Sequence, residues 1–184
     1  DTGALPNNYV GFQSVTDPAN QAKFEKVYGR KTDLAKGMTK VKALNLCGES
    51  IHAMLIDGEN TVVSDPDKEH CEHALRSLSH LVVTDIFLTE TAQLADVVFP
   101  AACWGEVDGV CTNTERRVQR LRAAVPPPGE AKPDWWIISA LAKKLGFPGF
   151  EYDSAKEVFN EICSLSPIYA GLDWDRIDKG EYQW

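Results

Sequence analysis

Three short groups of residues in this sequence combine the glycine, carboxylate, amide and hydroxyl groups that bind polar small molecules. The groups are Gly58, Glu59, Asn60 and Ser64, then Thr84, Asp85, Ile86 and Phe87, and finally Pro100 and Ala101. Glycine permits a positive φ angle and close approach of the backbone to a ligand, and Asn and Ser offer neutral hydrogen bonds. Helix starts expected after Asp65 and Thr89 add free amide N–H groups, which suit phosphate.

Two aspartates carry the most specific recognition chemistry. Asp85 lies within the apolar run LVVTDIF, and Asp134 opens a helical pattern. An ionised carboxylate only accepts hydrogen bonds, so it suits two adjacent donors, such as a guanine edge or a pair of ribose hydroxyls. Simpler interpretations stay open, because an acid in the first turn of a helix is stabilised by the helix dipole alone. Asn60 and Ser64 also suit turn and cap positions.

The elements that must position these groups follow from apolar periodicity. The runs IHAMLID (51–57), LVVTDIF (81–87) and DVVFPA (96–101) predict strands covered on both faces. A helix capped by Ser64 or Asp65 and a short helix over TETAQLA separate them, which predicts a βαβαβ core with a parallel sheet. The fold class is α/β, a three-layer, Rossmann-like parallel sheet flanked by helices. Ligands bind outside the carboxyl ends of such strands, where all three groups lie.

The remaining segments complete one predicted domain over residues 1–184. A docking segment with helices covers 1–50, the core 51–101, an excursion with a strand turn 102–133, and helices with an irregular tail 134–184. Thr16 or Asp17 is expected to cap the first helix, which Gly29 closes, and Ser154 with Glu157 forms a capping box.

Composition excludes several classes of protein. The 184 residues carry 19 basic and 27 acidic side chains, a formal net charge of −8, which argues against a nucleic-acid or anionic-membrane partner. No apolar stretch approaches the roughly 18 residues that a membrane span needs. Five scattered cysteines without a CxxC motif favour a reduced, cytoplasmic protein without a closed metal site. No nucleophile elbow, Walker loop, GxGxxG or HExxH occurs, so we predict no catalytic or metal-binding residue in this chain.

Two dense sequence runs resemble a known enzyme superfamily. VVTDIFLTETAQLADVVFPA and DGVCTNTERRVQR are similar to the bis-molybdopterin guanine dinucleotide oxidoreductases, nitrate reductases included. DTGALPNNYVGFQSVTDPAN and DKGEYQW resemble the catalytic alpha subunit of molybdenum- or tungsten-dependent formate dehydrogenases. The resemblance covers essentially the whole chain and implies an internal segment matching the third of four domains. The metal and an iron–sulfur cluster would then be held by other parts of the parent protein.

The resemblance also implies site residues and a role. The family's first contact loop is matched by Gly58, Glu59, Asn60 and Ser64. Its second contact loop is matched by Thr84, Asp85, Ile86 and Phe87, and a further contact by Ala101. The carboxylate that pairs with guanine is matched by Asp134. Asn60, Ser64, Thr84 and Ala101 stand where a relative has Asp, Thr, Gln and Ser. The chain is then expected to bind the guanosine end of one molybdopterin guanine dinucleotide in an electron-transferring enzyme that oxidises formate.

This resemblance implies further domains of the same subunit and electron-transfer subunits as partners, and no turnover by the chain alone. Two alternatives stay open. One is the equivalent domain of another superfamily member, such as nitrate reductase or the large subunit of an NADH-linked respiratory complex. The other is a non-catalytic structural or interaction module of the same fold. We also expect Trp104, Trp174 and Trp184 to lie on apolar surface that neighbouring domains would cover.

Overall fold

A computed structural model of the protein describes residues 5–31 and 36–180. Its contacts group the described residues into two compact units. The sheet unit comprises residues 39–106 and 125–138, and the hairpin unit comprises the described residues within 1–38, 107–124 and 139–184. The single-domain organisation stays a prediction from the sequence.

The predicted helices and strands occur in the expected order, and the structure adds two short strands in the opening segment, a helical turn after the first core strand and a short helix in the tail that was expected to be irregular. They are β1 (Asn8–Tyr9), β2 (Gln13–Ser14), α1 (Pro18–Tyr28), α2 (Lys40–Asn45), β3 (Ala53–Asp57), α3 (Thr61–Ser64), α4 (Lys68–Arg76), β4 (His80–Asp85), a 3-10 turn (Ala92–Leu94), β5 (Val97–Pro100), β6 (Gly109–Thr112), β7 (Val118–Leu121), α5 (Asp134–Lys144), α6 (Ala155–Leu165) and α7 (Trp174–Ile177).

The sheet unit contains the predicted parallel sheet. Its strands lie in the order β3, β4, β5, with Asp57 opposite Thr84 and Asp85 opposite Pro100. The core beneath it is formed by α2, α3, α4 and the strands, and includes Leu75, Leu81 and Val83, each at most 1% exposed. The predicted α/β class with a parallel sheet and flanking helices is confirmed.

Three details of the sheet unit differ from the prediction. The short helix predicted over TETAQLA is only a 3-10 turn at Ala92–Leu94. Asp67, and not Ser64 or Asp65, caps α4, because its side chain accepts a hydrogen bond from the His70 amide at 3.0 Å while residues 61–64 form their own helical turn. The prediction that β3 is covered on both faces is also wrong. Leu55 is 44% exposed while Ile56 is 7% exposed, so among the described residues only one face of β3 is covered.

The hairpin unit is built on two antiparallel hairpins and two of the later helices. In the β6–β7 hairpin, Gly109 lies opposite Leu121 and Thr112 opposite Val118, which confirms a strand turn in the excursion. Val118 packs with residues of α6 and α7. The predicted capping box forms in part: the Ser154 side chain caps α6 by accepting from the Glu157 amide, but the Glu157 side chain accepts from the Asp153 amide at 2.8 Å, one residue before the cap.

One arginine organises the hairpin unit. The Arg120 side chain is only 8% exposed, and its Nη1 donates to the Gly109 and Leu121 carbonyls at 2.6 and 3.1 Å. Its Nε donates to Asp178 Oδ1 at 3.1 Å, and its guanidinium lies 3.6 Å from the ring centroid of Trp174.

The tryptophan prediction is met only in part. Trp104 is 75% exposed, as expected. The expectation for Trp174 is wrong, since it is half-buried, packed against Phe159 at 5.8 Å between ring centroids and covered by Arg120. Trp184 lies outside the described residues.

Candidate functional site at the carboxyl edge of the sheet

The segments that follow the three strands meet at one edge of the sheet. The Gly58 amide donates to the Thr84 carbonyl at 2.8 Å, and the Ala101 amide donates to the Asp85 carbonyl at 3.0 Å. Beyond β5 the edge is extended by a bridge between Ala101 and Lys132, two residues before α5 begins at Asp134. The sheet therefore brings the predicted residue groups and Asp134 to the same side of the unit.

Three carboxylates converge at this edge. Asp57 and Asp85 end β3 and β4, and Asp134 begins α5. Partial burial, followed by the negative charges of Asp57 and Asp85, raises the pKa of Asp134. Partial burial and then the charge of Asp85 raise the pKa of Asp57. The ionised edge is thus electrostatically unfavourable by itself, which is common where a ligand supplies the missing partner.

The carboxylates differ in how far the protein satisfies them. Asp85 Oδ1 accepts a hydrogen bond from the Phe87 amide at 3.2 Å, which fixes the turn after β4. Across residues 5–31 and 36–180, the side chains of Asp57 and Asp134 have no hydrogen-bond or ion-pair partner. Asp57 is not among the site residues predicted from the sequence, because it occupies the last position of the apolar run that predicts β3. Its proximity to Asp85 arises only from the pairing of β3 with β4.

Asn60 uses its side chain to build the loop after β3. Its Oδ1 accepts from the amide and the hydroxyl of Thr91 at 3.2 and 2.9 Å, and its Nδ2 donates to Glu90 at 2.7 Å. Thr91 is fully buried and accepts from the Val62 amide at 3.0 Å. Asn60 is therefore a structural link between two loops, and its amide group is already occupied.

The side chain of Lys40, which the sequence did not indicate as part of the site, contacts both Glu59 and Ser64. Lys40 Nζ donates to Glu59 Oε1 at 2.7 Å and to Ser64 Oγ at 3.3 Å, and Ser64 Oγ donates to the same Glu59 oxygen at 2.9 Å. The hydrogen bond to Glu59 raises the pKa of Lys40, and the hydrogen bond from Lys40 lowers the pKa of Glu59. Lys40 begins α2, 19 residues before Glu59, so only the tertiary structure reveals the pair.

The other predicted residues contribute backbone or apolar surface. Gly58 has a φ of +63°, and no atom lies within 4 Å of where a Cβ would stand, so backbone conformation alone favours glycine here. Thr84 is only 3% exposed and Ala101 is buried. These two residues can therefore contribute backbone groups, and not side chains, to a ligand at the edge. Phe87 is 72% exposed and Ile86 is also exposed, which places apolar side chains beside the carboxylates.

The comparisons with known proteins agree with this architecture. The family described as Molybdopterin oxidoreductase matches residues 2–144. The chain is 51% identical, along 100% of its length, to the F420-dependent formate dehydrogenase subunit alpha of Methanocaldococcus jannaschii, of which it covers 27%. It is 46% identical to F420-dependent formate dehydrogenase 1 subunit alpha of Methanococcus maripaludis, with the same coverages of 100% and 27%.

A solved structure extends the comparison. Acetylene hydratase from Pelobacter acetylenicus matches 88% of this chain with a TM-score of 0.65 and 25% identity, and the match covers 23% of that protein.

The chain belongs to the molybdopterin oxidoreductase family, and the resemblance to formate dehydrogenase alpha subunits is confirmed. It spans about a quarter of the length of the curated relatives it matches. None of the described helices is long and apolar enough to cross a membrane.

Proposed function

We propose that this chain binds the guanosine end of a molybdopterin guanine dinucleotide within a formate dehydrogenase. The observation that carries the proposal is the Asp134 carboxylate. It lies at the carboxyl edge of the sheet, has no partner in the described part of the chain, and has its pKa raised by partial burial and by two neighbouring carboxylates. A ligand with adjacent N–H donors would relieve this unfavourable charge.

The residues at the edge fit guanosine chemically. Guanine carries a ring N–H beside an amino group, and a carboxylate can accept from both at once. Asp57 and Asp85 leave acceptor oxygens for ribose hydroxyls, and the exposed Phe87 and Ile86 offer apolar surface to a flat base. Adenine presents no equivalent pair of donors, so the same edge should discriminate against it.

In the parent protein, formate oxidation would convert HCOO⁻ into CO₂, a proton and two electrons. When bound, the metal–pterin group supplies the two-electron redox chemistry. This chain's contribution is to hold and orient the nucleotide end. Two relatives are named as F420-dependent alpha subunits, which supports F420 as the electron acceptor of the parent and a second subunit as its partner.

The acetylene hydratase match supports a cofactor-holding role. That protein is named for hydration, yet it shares this fold over 88% of the chain. A segment shared between enzymes of different named reactions is better explained by what it binds than by the substrate that is converted. Nitrate reductase, the respiratory-complex subunit and the non-catalytic module receive no specific support from the described residues.

Nucleotide titration tests the proposal directly. We expect the 184-residue chain to bind GMP at least about tenfold more tightly than AMP in titration calorimetry, since Asp134 would lose two hydrogen bonds with adenine. Asp134→Asn should lower GMP affinity about tenfold or more. Glu69→Gln, which also alters an acid in a helix first turn, is the matched control and should leave affinity unchanged.

Equal affinity of wild type and Asp134→Asn for GMP would contradict the assignment. In the full-length parent, we expect molybdenum or tungsten by metal analysis and formate-dependent reduction of F420. A parent without either metal would exclude the enzymatic role.

A further inference from the structure

Lys40 joins α2 to the loop after β3 through a single carboxylate oxygen. Lys40 Nζ and Ser64 Oγ both donate to Glu59 Oε1, at 2.7 and 2.9 Å, and Lys40 also reaches Ser64 at 3.3 Å. Lys40 and Glu59 are each about two-fifths exposed, so the pair lies at the surface of the edge. The contact fixes the side-chain positions of two residues in the first predicted contact group.

The charge around this loop gives the contact a consequence for binding. The edge already carries Asp57, Asp85 and Asp134, and the charge of Asp85 contributes to raising the pKa of both Asp57 and Asp134. A dinucleotide brings a diphosphate, which like charges at the edge would repel. The ammonium group of Lys40 cancels the charge of Glu59, leaving the loop after β3 close to neutral.

We propose that Lys40 is a positioning residue of the nucleotide site, which neutralises Glu59 and orders the Glu59–Ser64 loop so that it can face the phosphate groups of the bound nucleotide. The inference rests on the proposed function and extends it to the phosphate portion of the ligand. It concerns a residue on α2, outside every group that the sequence indicated. Lys40 acts through Glu59 and needs no direct contact with the ligand.

Comparing ligands with and without phosphate distinguishes this role of Lys40 from a role in stabilising the loop alone. We would titrate the 184-residue chain with GDP and with guanosine by calorimetry, and check folding by circular dichroism. Lys40→Met should weaken GDP binding about three- to tenfold, because it leaves the charge of Glu59 unpaired. Guanosine, which carries no phosphate, should keep its affinity within about twofold. The GDP effect should shrink near 1 M salt, where the Debye length is about 3 Å.

Three further variants separate charge from structure. Lys40→Met combined with Glu59→Gln restores the charge balance and should return GDP affinity to within about twofold of wild type. Lys40→Arg keeps the charge and should retain most of the affinity. Lys42→Met is the matched control, since a residue two positions along the helix does not lie on the same face.

The inference is overturned if Lys40→Met leaves GDP affinity unchanged, or lowers GDP and guanosine affinity equally without rescue by Glu59→Gln. A ligand-free measurement adds a second criterion: the pKa of Glu59, followed by carbon NMR, should rise in Lys40→Met, and an unchanged pKa also refutes the neutralising role. Failure of wild type to bind either guanosine or GDP contradicts the proposed function itself, and this inference falls with it.

Discussion

The two units use charge in opposite ways. In the hairpin unit, Arg120 is almost fully enclosed and has carbonyl, carboxylate and aromatic partners from its own unit. In the sheet unit, Asp57 and Asp134 lie at a loop-lined edge with no hydrogen-bond or ion-pair partner among the described residues. A charged group whose partners are all internal stabilises a fold. Neighbouring carboxylates that repel one another and have unoccupied acceptor oxygens are suited to binding a ligand that donates hydrogen bonds.

The same contrast accounts for a basic cluster in the hairpin unit. Arg116, Arg117, Arg120 and Arg122 form the one basic cluster in the sequence. Arg120 is buried, and Arg122 donates to Asp178 at 2.8 Å. The cluster therefore includes a structural ion-pair network, whereas the functional candidates are acidic and far apart in sequence.

The largest expected effect lies in the hairpin unit. Arg120→Met should lower the free energy of unfolding by about 2–4 kcal/mol, because it removes the donor to the Gly109 and Leu121 carbonyls and one of the two arginine partners of Asp178. Urea unfolding followed by circular dichroism measures the change. The exposed Arg122→Met is the control and should cost less than about 1 kcal/mol. A loss for Arg120→Met no larger than for the control would show that the network is not structural.

A medium effect is expected where the loops of the sheet unit are joined. Thr91→Val keeps the side-chain shape but removes the acceptor for the Val62 amide and a donor to Asn60, both buried or half-buried. We expect a loss of about 1–3 kcal/mol in the free energy of unfolding. Thr89→Val, which removes one acceptor for the Ala92 amide, should have a smaller effect. Comparable losses in the two variants would refute the central role of Thr91.

The smallest effect concerns pH. Because the pKa of Asp57 is raised in the folded chain, its ionised form opposes folding, and this opposition disappears as the pH falls through the folded-state pKa towards the unfolded value near 4. Asp57→Asn should therefore be more stable than wild type at pH 7, by less than about 1 kcal/mol given its exposure. The difference should vanish below about pH 4.

Thermal unfolding across pH 3.5–7.5 measures this difference. Glu49→Gln, an exposed position in the same unit, is the control and should follow wild type at every pH. The sign of the Asp57 effect is decisive. An Asp57→Asn variant that is less stable than wild type at pH 7 would mean that the carboxylate has a stabilising partner, which the account denies.

The sequence was sufficient for the parallel core and for choosing where a candidate site should be sought. Apolar runs separated by helical segments predict a parallel sheet, because crossover connections of this length impose it, and the carboxyl-end rule then points to the loops after β3, β4 and β5. Asp134 follows from the helix start at Pro133. The Ser154 cap of α6 was readable because the amide from which its side chain accepts, that of Glu157, is only three residues away.

What the sequence could not provide depends on tertiary contacts. Asp57 becomes part of the edge only through pairing with β4, and Lys40 only because α2 packs beside the loop after β3. Asn60 looked like a ligand-binding amide, but Thr91 and Glu90, about 30 residues away, occupy it. In each case the residue that makes the contact is distant in sequence, so a local sequence pattern does not predict the contact.

The central claim is that the carboxyl edge of the sheet is where a guanine nucleotide binds, and amide NMR tests its location most directly. Adding GDP to the ¹⁵N-labelled chain should shift amide resonances of Gly58 to Ser64, Thr84 to Phe87, Ala101 and the start of α5 at Asp134, and leave Arg120 and its neighbours in the hairpin unit unchanged. Saturable shifts centred on the hairpin unit, or no saturable shifts at the edge, would contradict the account.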